Sequence, residues 1–374
     1  MNTMSFTDLR HYRAPELDAL RGLAALMIVG THVLSLGFVL PANIAHLLDA
    51  TPLRAIHTGR APVLFFFVLS GYVLTRALMG LSGSGILVYA GQRTLRLLLP
   101  VAGAVLLSAG LQRLFDSGPL PTGGWDLARL WEDPARPGIL LRQALLIGAD
   151  HDFTFDIPLW TLVHEWRLSL ALPAVLLFRR RPALLIALAL VLHAAAIAEG
   201  VAPNVAQLGP RLASTLAATA YFALPFAAGA ALQLTGGLPP LFGPLRQAAW
   251  IGVVTAAALP SDLAVIAGAV LLIALARPPS PTARWLRQPL PVGLGRISYS
   301  LYLVHMPVLA AAVHASREVL PHWVALLLAV PVVLLVAIGF HAAVEGPAHR
   351  LARWLGRAAP RLLPTHPIVP RTNG

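Results

Sequence analysis

Residues 17–40 read LDALRGLAALMIVGTHVLSLGFVL, and the apolar run from Gly22 to Leu40 dominates this stretch. A run of about 20 apolar residues is long enough to cross the hydrocarbon core of a bilayer as one helix. Asp18 and Arg21 precede the run and His32 interrupts it. An ionisable group at membrane depth costs free energy unless it is paired or functional. The stretch therefore predicts a transmembrane helix that also carries chemistry.

Apolar runs of this kind recur along the whole chain. Of the 374 residues, 57% are hydrophobic and 12% are charged, whereas a soluble domain has roughly 25% charged residues. The mean hydropathy of +0.72 agrees. We predict an all-α, polytopic membrane bundle of about ten helices. The predicted spans are roughly 19–40, 61–80, 95–113, 158–178, 182–200, 210–234, 246–260, 262–277, 294–315 and 322–344.

The distribution of arginine predicts the topology. All 28 basic residues are Arg, and the formal net charge is +12. With the N-terminus in the cytoplasm, eighteen arginines fall on the cytoplasmic side, eight outside and two at membrane depth. Basic residues concentrate in cytoplasmic loops. We therefore expect both termini in the cytoplasm, a membrane domain over 1–345 and a basic, Pro-rich cytoplasmic tail over 346–374.

Several functional classes are excluded by the composition. The arginines sit at predicted helix ends rather than in a basic stripe with exposed aromatics, so nucleic acid is not an expected partner. The chain has no cysteine, which excludes a thiolate nucleophile, a disulfide framework and a Cys-based zinc site. No histidine spacing of the H-E-x-x-H kind occurs, and we expect no metal. The predicted outer loop, 114–157, is equally well a functional lid or a solvated connector.

Arg21 and His32 form the first candidate pair. They are eleven residues apart, which on a helix amounts to three turns plus about 20°, so they share one face. Along the axis they are about 16 Å apart. Asp18 lies one turn before Arg21 and can hold its guanidinium. Separately, Arg21 could be a topology signal and His32 a core histidine, but the alignment of the two favours function.

Residues 158–167, PLWTLVHEWR, place Glu165 in an apolar stretch. Its partner could be Arg167 in a structural pair, or an imidazole that the carboxylate orients. Two residues on a helix point about 200° apart, so Arg167 faces away from Glu165. We therefore expect Glu165 to meet His32 within hydrogen-bond reach.

Two further motifs are less specific. Residues 64–76, LFFFVLSGYVLTR, end at Arg76, which with Arg93 and Arg96 makes a basic cluster at the inner mouth. This cluster could bind phosphate, or it could be a topology signal. Residues 295–307, GRISYSLYLVHMP, contain Tyr299 and His305. These side chains could bind a polar ligand, although core packing is the slightly better explanation for them.

Taken in order, these motifs resemble the membrane acyltransferase-3 family over nearly the whole chain. The resemblance rests on Arg21 and His32, FFFVLSGY from residue 65, the Arg93/Arg96 pair, WTLVHEW from residue 160, ISYSLYLVHMP from residue 297 and the final Glu345-x-Pro. It implies an enzyme of the bacterial inner membrane. Such an enzyme moves an acetyl or other acyl group from cytoplasmic acyl-CoA to a hydroxyl of a glycan or a glycosylated small molecule.

The resemblance also implies roles for the candidate residues. His32 would act as general base or transient acyl carrier, and Glu165 would orient it. Arg21, Arg76, Arg93 and Arg96 would hold the phosphates of acyl-CoA, with acetyl-CoA as the expected acyl donor. Asp18, Trp160, Tyr299 and His305 would contact the acceptor. From the residues alone, a proton-coupled transporter or flippase stays an alternative, because intramembrane Arg, His and Glu also suit such a carrier.

Overall fold

The computed structural model describes residues 14–38, 40–81, 83–118, 129–147, 153–202 and 211–362, and the regular structure within these ranges is helical. The long helices are α1 Pro15–Gly37, α2 Arg60–Leu78, α3 Ser84–Phe115, α4 Leu159–Ala171, α5 Pro182–Ala198, α6 Leu212–Leu234, α7 Gly243–Ala258, α8 Asp262–Leu275, α9 Pro289–Ser316, α10 His322–Phe340 and α11 Gly346–Leu362. A 3₁₀ segment, Leu172–Phe178, continues α4, and a π-helical turn, His341–Glu345, joins α10 to α11. Four shorter helices lie in the connections: Ala42–Asp49, Arg54–His57, Pro137–Ala144 and Pro281–Leu286.

The helices α1 to α10 coincide with the ten predicted spans. Within the described ranges, seven helical segments are long and apolar enough to cross a membrane. These are α1, α2, α3, α4 with its 3₁₀ extension, α6, α9 and the continuous segment 322–358. Helices α5, α7 and α8 have 17, 16 and 14 residues and fall short of that length. The all-α membrane fold is thus confirmed, while ten spans and the sides of the termini stay predictions.

Two predicted boundaries are wrong. Helix α3 begins at Ser84, eleven residues before the predicted start, because the polar residues ahead of the apolar run continue the same helix. Arg93 and Arg96 therefore lie within a helix of 32 residues. The last span likewise does not end near residue 344, since the helix continues through the π turn into α11.

The contact between α1 and α9 has no room for side chains at its centre. A Cβ on Gly22 would lie 2.5 Å from the backbone nitrogen of Gly295, and a Cβ on Gly295 would lie 2.3 Å from the carbonyl oxygen of Asp18. Small residues allow helix backbones to approach this closely in a membrane. Further along the two helices, His32 contacts His305. These two residues are 273 positions apart in the sequence, as Gly22 and Gly295 are. The two helices therefore run parallel and in register.

Helices α2 and α6 repeat this arrangement. A Cβ on Gly71 would lie 1.9 Å from the carbonyl oxygen of Phe226, and a Cβ on Gly229 would lie 1.8 Å from that of Val68. One turn before Gly71, the ring of Phe67 stacks on Phe222 with centroids 4.7 Å apart. This pair is also parallel.

A buried ion pair adds α8 to these two helices. Arg60 begins α2, and its guanidinium binds both carboxylate oxygens of Asp262 at the start of α8. Tyr221 of α6 donates to the same carboxylate at 2.5 Å. From the sequence, Arg60 was predicted to be one of the arginines of the outer loops. In the structure only 12% of its side chain is exposed.

Part of the predicted outer loop folds onto α3. The Trp131 indole donates to Ser108 Oγ at 2.9 Å, and Ser108 Oγ donates to the carbonyl oxygen of Phe155 at 2.5 Å. Residues 130, 131, 143, 146 and 153–156 are buried, so the described part of the loop is anchored to the bundle. Both a functional role and a connector role for this loop stay predictions. The loop residues 119–128 and 148–152 lie outside the described part of the chain.

Helix α11 occupies much of the predicted tail. The side-chain amide of Gln92 in α3 donates to the carbonyl oxygen of Ala352 at 2.9 Å, and Ala352 is fully buried. Residues 346–362 are therefore helical and docked on α3. Residues 363–374 lie outside the described part, and the domain boundary at 345 stays a prediction.

We expect Gly295→Ala to destabilise the protein, because its Cβ would overlap the backbone of α1, and overpacking typically costs about 1–3 kcal/mol. The matched control is Gly293→Ala on the same helix, where an added Cβ meets nothing within 4 Å. Thermal melting in detergent should show a clear drop for Gly295→Ala only. Equal melting temperatures would contradict the tight contact.

Candidate active site

A cavity of about 240 Å³ opens between α1, α2, α3, α4, α9 and the π turn. Six of the residues predicted to form the site line it: Asp18, Arg21, Arg93, Arg96, Glu165 and Tyr299. Its other polar lining residues are Ser70, Thr161, Ser298, Tyr302, Glu345 and His349. The polar residues of six helices, with α11 contributing His349, and of the π turn thus converge on one space.

Arg21 is held against α9 at one end of the cavity. Its Nε donates to Ser298 Oγ at 2.8 Å, and its Nη2 donates to the carbonyl oxygen of Gly295 at 3.2 Å. Asp18 Oδ1 lies 3.4 Å from Nη2, as the one-turn spacing predicts. Because Gly295 has no side chain, the guanidinium reaches the α9 backbone directly.

Glu165 has a different partner from the one predicted. Arg93 forms an ion pair with its Oε1, and Ser70 Oγ donates to the same oxygen at 3.0 Å. The pairing of Glu165 with His32 is therefore wrong. The physical reason is the early start of α3, which brings a guanidinium to the level of the carboxylate. Arg167 points away as expected, towards Thr219 Oγ1 on α6 at 3.3 Å.

His32 instead meets His305, which the sequence did not predict. His32 Nδ1 lies 3.1 Å from His305 Nε2 and 3.0 Å from the carbonyl oxygen of Ile28. His305 is fully buried, and its Nδ1 lies 2.7 Å from the carbonyl oxygen of Tyr302. Tyr302, one turn before His305, lines the cavity. The histidine pair therefore lies one helical turn beyond the cavity wall.

Two other predicted residues lie outside the cavity lining. Arg76 is in the last turn of α2. Trp160 packs on α6, with its ring 5.7 Å from Phe222 and 6.1 Å from His164. The structure thus groups Trp160 with the aromatic packing between α4 and α6.

Arg96 stands out among the cavity cations. Its Nε is buried and has no hydrogen-bond partner among the described residues. Arg93 and Arg353 lie close enough for their charges to act on it. A guanidinium in a field of like charge favours an anionic ligand, since phosphate or carboxylate can bind it through two parallel hydrogen bonds.

The π turn supplies a buried carboxylate, Glu345, that the sequence did not predict as a site residue. Glu345 is 3% exposed and accepts hydrogen bonds from the backbone nitrogen and Oγ of Ser300, at 3.2 and 2.5 Å. His341 Nδ1 is 3.0 Å from it. Isolated π turns within helices are frequent at functional sites. In the sequence Glu345 stands at the end of an apolar span, and its only mark there is the final Glu345-x-Pro motif of the resemblance.

Asp156 is a second carboxylate that sequence reasoning passed over. It precedes α4, is fully buried, and neither carboxylate oxygen has a hydrogen-bond partner in the described ranges. This burial raises the pKa of Asp156 well above its ordinary value. No pattern distinguished it from the other acidic residues of the predicted loop.

Comparison with known families gives one finding. The model of the acyltransferase-3 family matches residues 15–342. That model is described as an acyltransferase domain. The match begins at the first residue of α1 and includes every predicted site residue. No curated protein and no solved structure matches the chain.

The Arg93–Glu165 pair should behave as a coupled unit. Arg93→Met and Glu165→Gln each leave one charge in the bundle without its counter-charge, which is more costly than removing both. We expect both single variants to melt lower than the parent and the double variant to lose clearly less than the sum of the two shifts. The more exposed pair Arg54 and Asp49 is the control and should show little coupling. Additive shifts for Arg93 and Glu165 would contradict the pair.

Proposed function

The chain belongs to the acyltransferase-3 family of integral membrane enzymes, and on that basis we propose that it moves an acetyl or other acyl group from cytoplasmic acyl-CoA to a hydroxyl of a glycan or a glycosylated small molecule. One observation carries this proposal: the same cavity is lined by Arg21, Arg93 and Arg96 and by Tyr302, which lies one turn before His305 of the His32–His305 pair.

The arginines suit the phosphates of CoA unequally. Arg93 is neutralised by Glu165, and Arg21 shares the charge of Asp18. The Nε of Arg96 is buried and has no hydrogen-bond acceptor among the described residues. We therefore assign the main phosphate contact to Arg96, with Arg21 beside it. Arg76 lies outside the lining and would act only through the general positive potential of this mouth.

The membrane orientation follows the arginine distribution. With both termini in the cytoplasm of a bacterial inner membrane, the mouth at Arg96 faces the cytoplasm, where acyl-CoA is made. Ten alternating spans would make α1 parallel to α9 and α2 parallel to α6, and both pairs are parallel. In this arrangement the shorter helices α5, α7 and α8 also cross the membrane.

His32 supplies the proton chemistry. As a general base it takes the proton of the acceptor hydroxyl while the hydroxyl oxygen attacks the thioester carbonyl. The new C–O bond forms, the C–S bond breaks, and the CoA thiolate takes the proton back from the imidazolium. As a nucleophile, His32 would instead carry the acyl group for one step. Glu165 acts on the donor side by fixing Arg93, while Asp18 and Tyr299 line the path of the substrates.

Radiolabelled acetyl-CoA tests the transfer directly. The vesicles are inside-out membrane vesicles from a strain that lacks the native gene and expresses an introduced copy. We expect label to enter the glycans or glycosides that are extracted from them. Right-side-out vesicles should show none, since acetyl-CoA cannot cross the membrane. His32→Ala should abolish incorporation, and His193→Ala, a buried histidine that bonds to the carbonyl oxygen of Tyr221, should retain it. A carrier or flippase would give no covalent product in any vesicle.

Arg96→Ala should weaken the binding of labelled acetyl-CoA by about 10- to 100-fold, the value of one or two hydrogen bonds to a charged group. Arg96→Lys should recover only part of this, because an ammonium lacks the bidentate fork. Arg180→Ala, an exposed arginine outside the cavity, is the control. Equal binding by the Arg96→Ala variant and the control would remove Arg96 from the donor site.

A further inference from the structure

We propose that His305 is a positioning residue that holds His32 in the one tautomer whose Nε2 carries the lone pair. The catalytic consequence rests on the proposed function, but the assignment of the tautomers rests on the geometry of the two rings. From the sequence, His305 was predicted to contact the acceptor, and Glu165 was predicted to orient His32.

The proton on His305 is located first. Its Nδ1 lies 2.7 Å from the carbonyl oxygen of Tyr302. A carbonyl oxygen can only accept, so Nδ1 must carry the hydrogen. The ring is fully buried, and burial disfavours a charged imidazolium. A neutral imidazole has one N–H, and the Nε2 of His305 is therefore an acceptor.

The tautomer of His32 follows from this assignment. Its Nδ1 faces two acceptors, the carbonyl oxygen of Ile28 at 3.0 Å and His305 Nε2 at 3.1 Å. Nδ1 must then be the donor, shared between them. In the neutral ring the lone pair is consequently on Nε2 of His32. The Ile28 carbonyl favours the same tautomer, and His305 supplies the second acceptor for Nδ1 from another helix.

The pair can take up a proton at only one place. A proton on His32 Nε2 leaves both Nδ1 hydrogen bonds intact, and His305 Nε2 then accepts from an imidazolium, which is a stronger hydrogen bond. A proton on His305 Nε2 would set two N–H groups facing each other at 3.1 Å. His305 thus directs the hydroxyl proton to His32 Nε2, from where it passes to the departing CoA thiolate.

Two substitutions at 305 separate positioning from packing. His305→Gln keeps an acceptor near the place of Nε2, whereas His305→Met fills the volume without one. We expect the turnover number of His305→Met to fall about 10- to 100-fold, which is part of the roughly 100- to 10,000-fold that general-base catalysis contributes, with the KM for acetyl-CoA unchanged. His305→Gln should recover most of the turnover. The control is His193→Met, which exchanges another buried histidine.

Three outcomes of these assays would overturn the proposal: full turnover in His305→Met, equal loss in the Gln and Met variants while both remain folded, or a loss confined to KM. If the parent enzyme transfers no acyl group at all, the proposed function fails instead, and the tautomers are then decided by spectroscopy alone.

Nitrogen-15 NMR of histidine-labelled protein in bilayers supplies that independent measurement. The two ring nitrogens have distinct shifts according to which carries the proton. We expect His32, identified by comparison with His32→Ala, as the Nδ1–H tautomer in the parent and in His305→Gln. In His305→Met we expect the Nδ1–H signal of His32 to shift, because one of its two acceptors is lost. An Nε2–H signal for His32 in the parent would overturn the proposal.

Discussion

The close approach of α1 and α9 at Gly22 and Gly295 is the contact on which the site depends. With the two backbones this near and parallel, Arg21 reaches Ser298 and the α9 backbone at one level, and His32 reaches His305 three turns further along. A side chain at either glycine would separate both contacts together. One steric constraint therefore sets the Arg21 contacts and the His32–His305 contact in a fixed relation.

Most buried charged side chains in the described bundle are paired with other side chains of the protein. Arg60 is neutralised by Asp262, Arg93 by Glu165, and the buried Glu345 is satisfied by Ser300 and His341. Such pairing is expected where an unpaired ion in hydrocarbon costs several kcal/mol. In the described part of the chain, the buried and unpartnered Nε of Arg96 departs from this pattern, as do Nε of Arg246 and both carboxylate oxygens of Asp156. Of these three residues, Arg96 is the one that lines the cavity.

Sequence reasoning located the helices and most of the cavity, because apolar length and helical spacing are local properties of the chain. The shared face of Arg21 and His32 follows from their spacing alone, and both side chains do contact α9. The partners of Glu165 and Arg60 could not be found in this way. Arg60 and Asp262 are 202 residues apart, and their meeting depends on how α2, α6 and α8 pack. The early start of α3, hidden by its polar residues, places Arg93 within a helix and beside Glu165, a pairing that the sequence did not predict.

The partnership of the first and ninth helices has a consequence for biosynthesis. Helix α1 enters the bilayer while most of the protein is still unmade, and its partner α9 ends only at Ser316. At 5–20 residues per second, translation of the intervening chain takes on the order of tens of seconds. During that time Arg21 lacks Ser298, and His32 lacks His305. Both contacts therefore form only after α9 has been made, and a product of translation that stops before α9 would lack both of them.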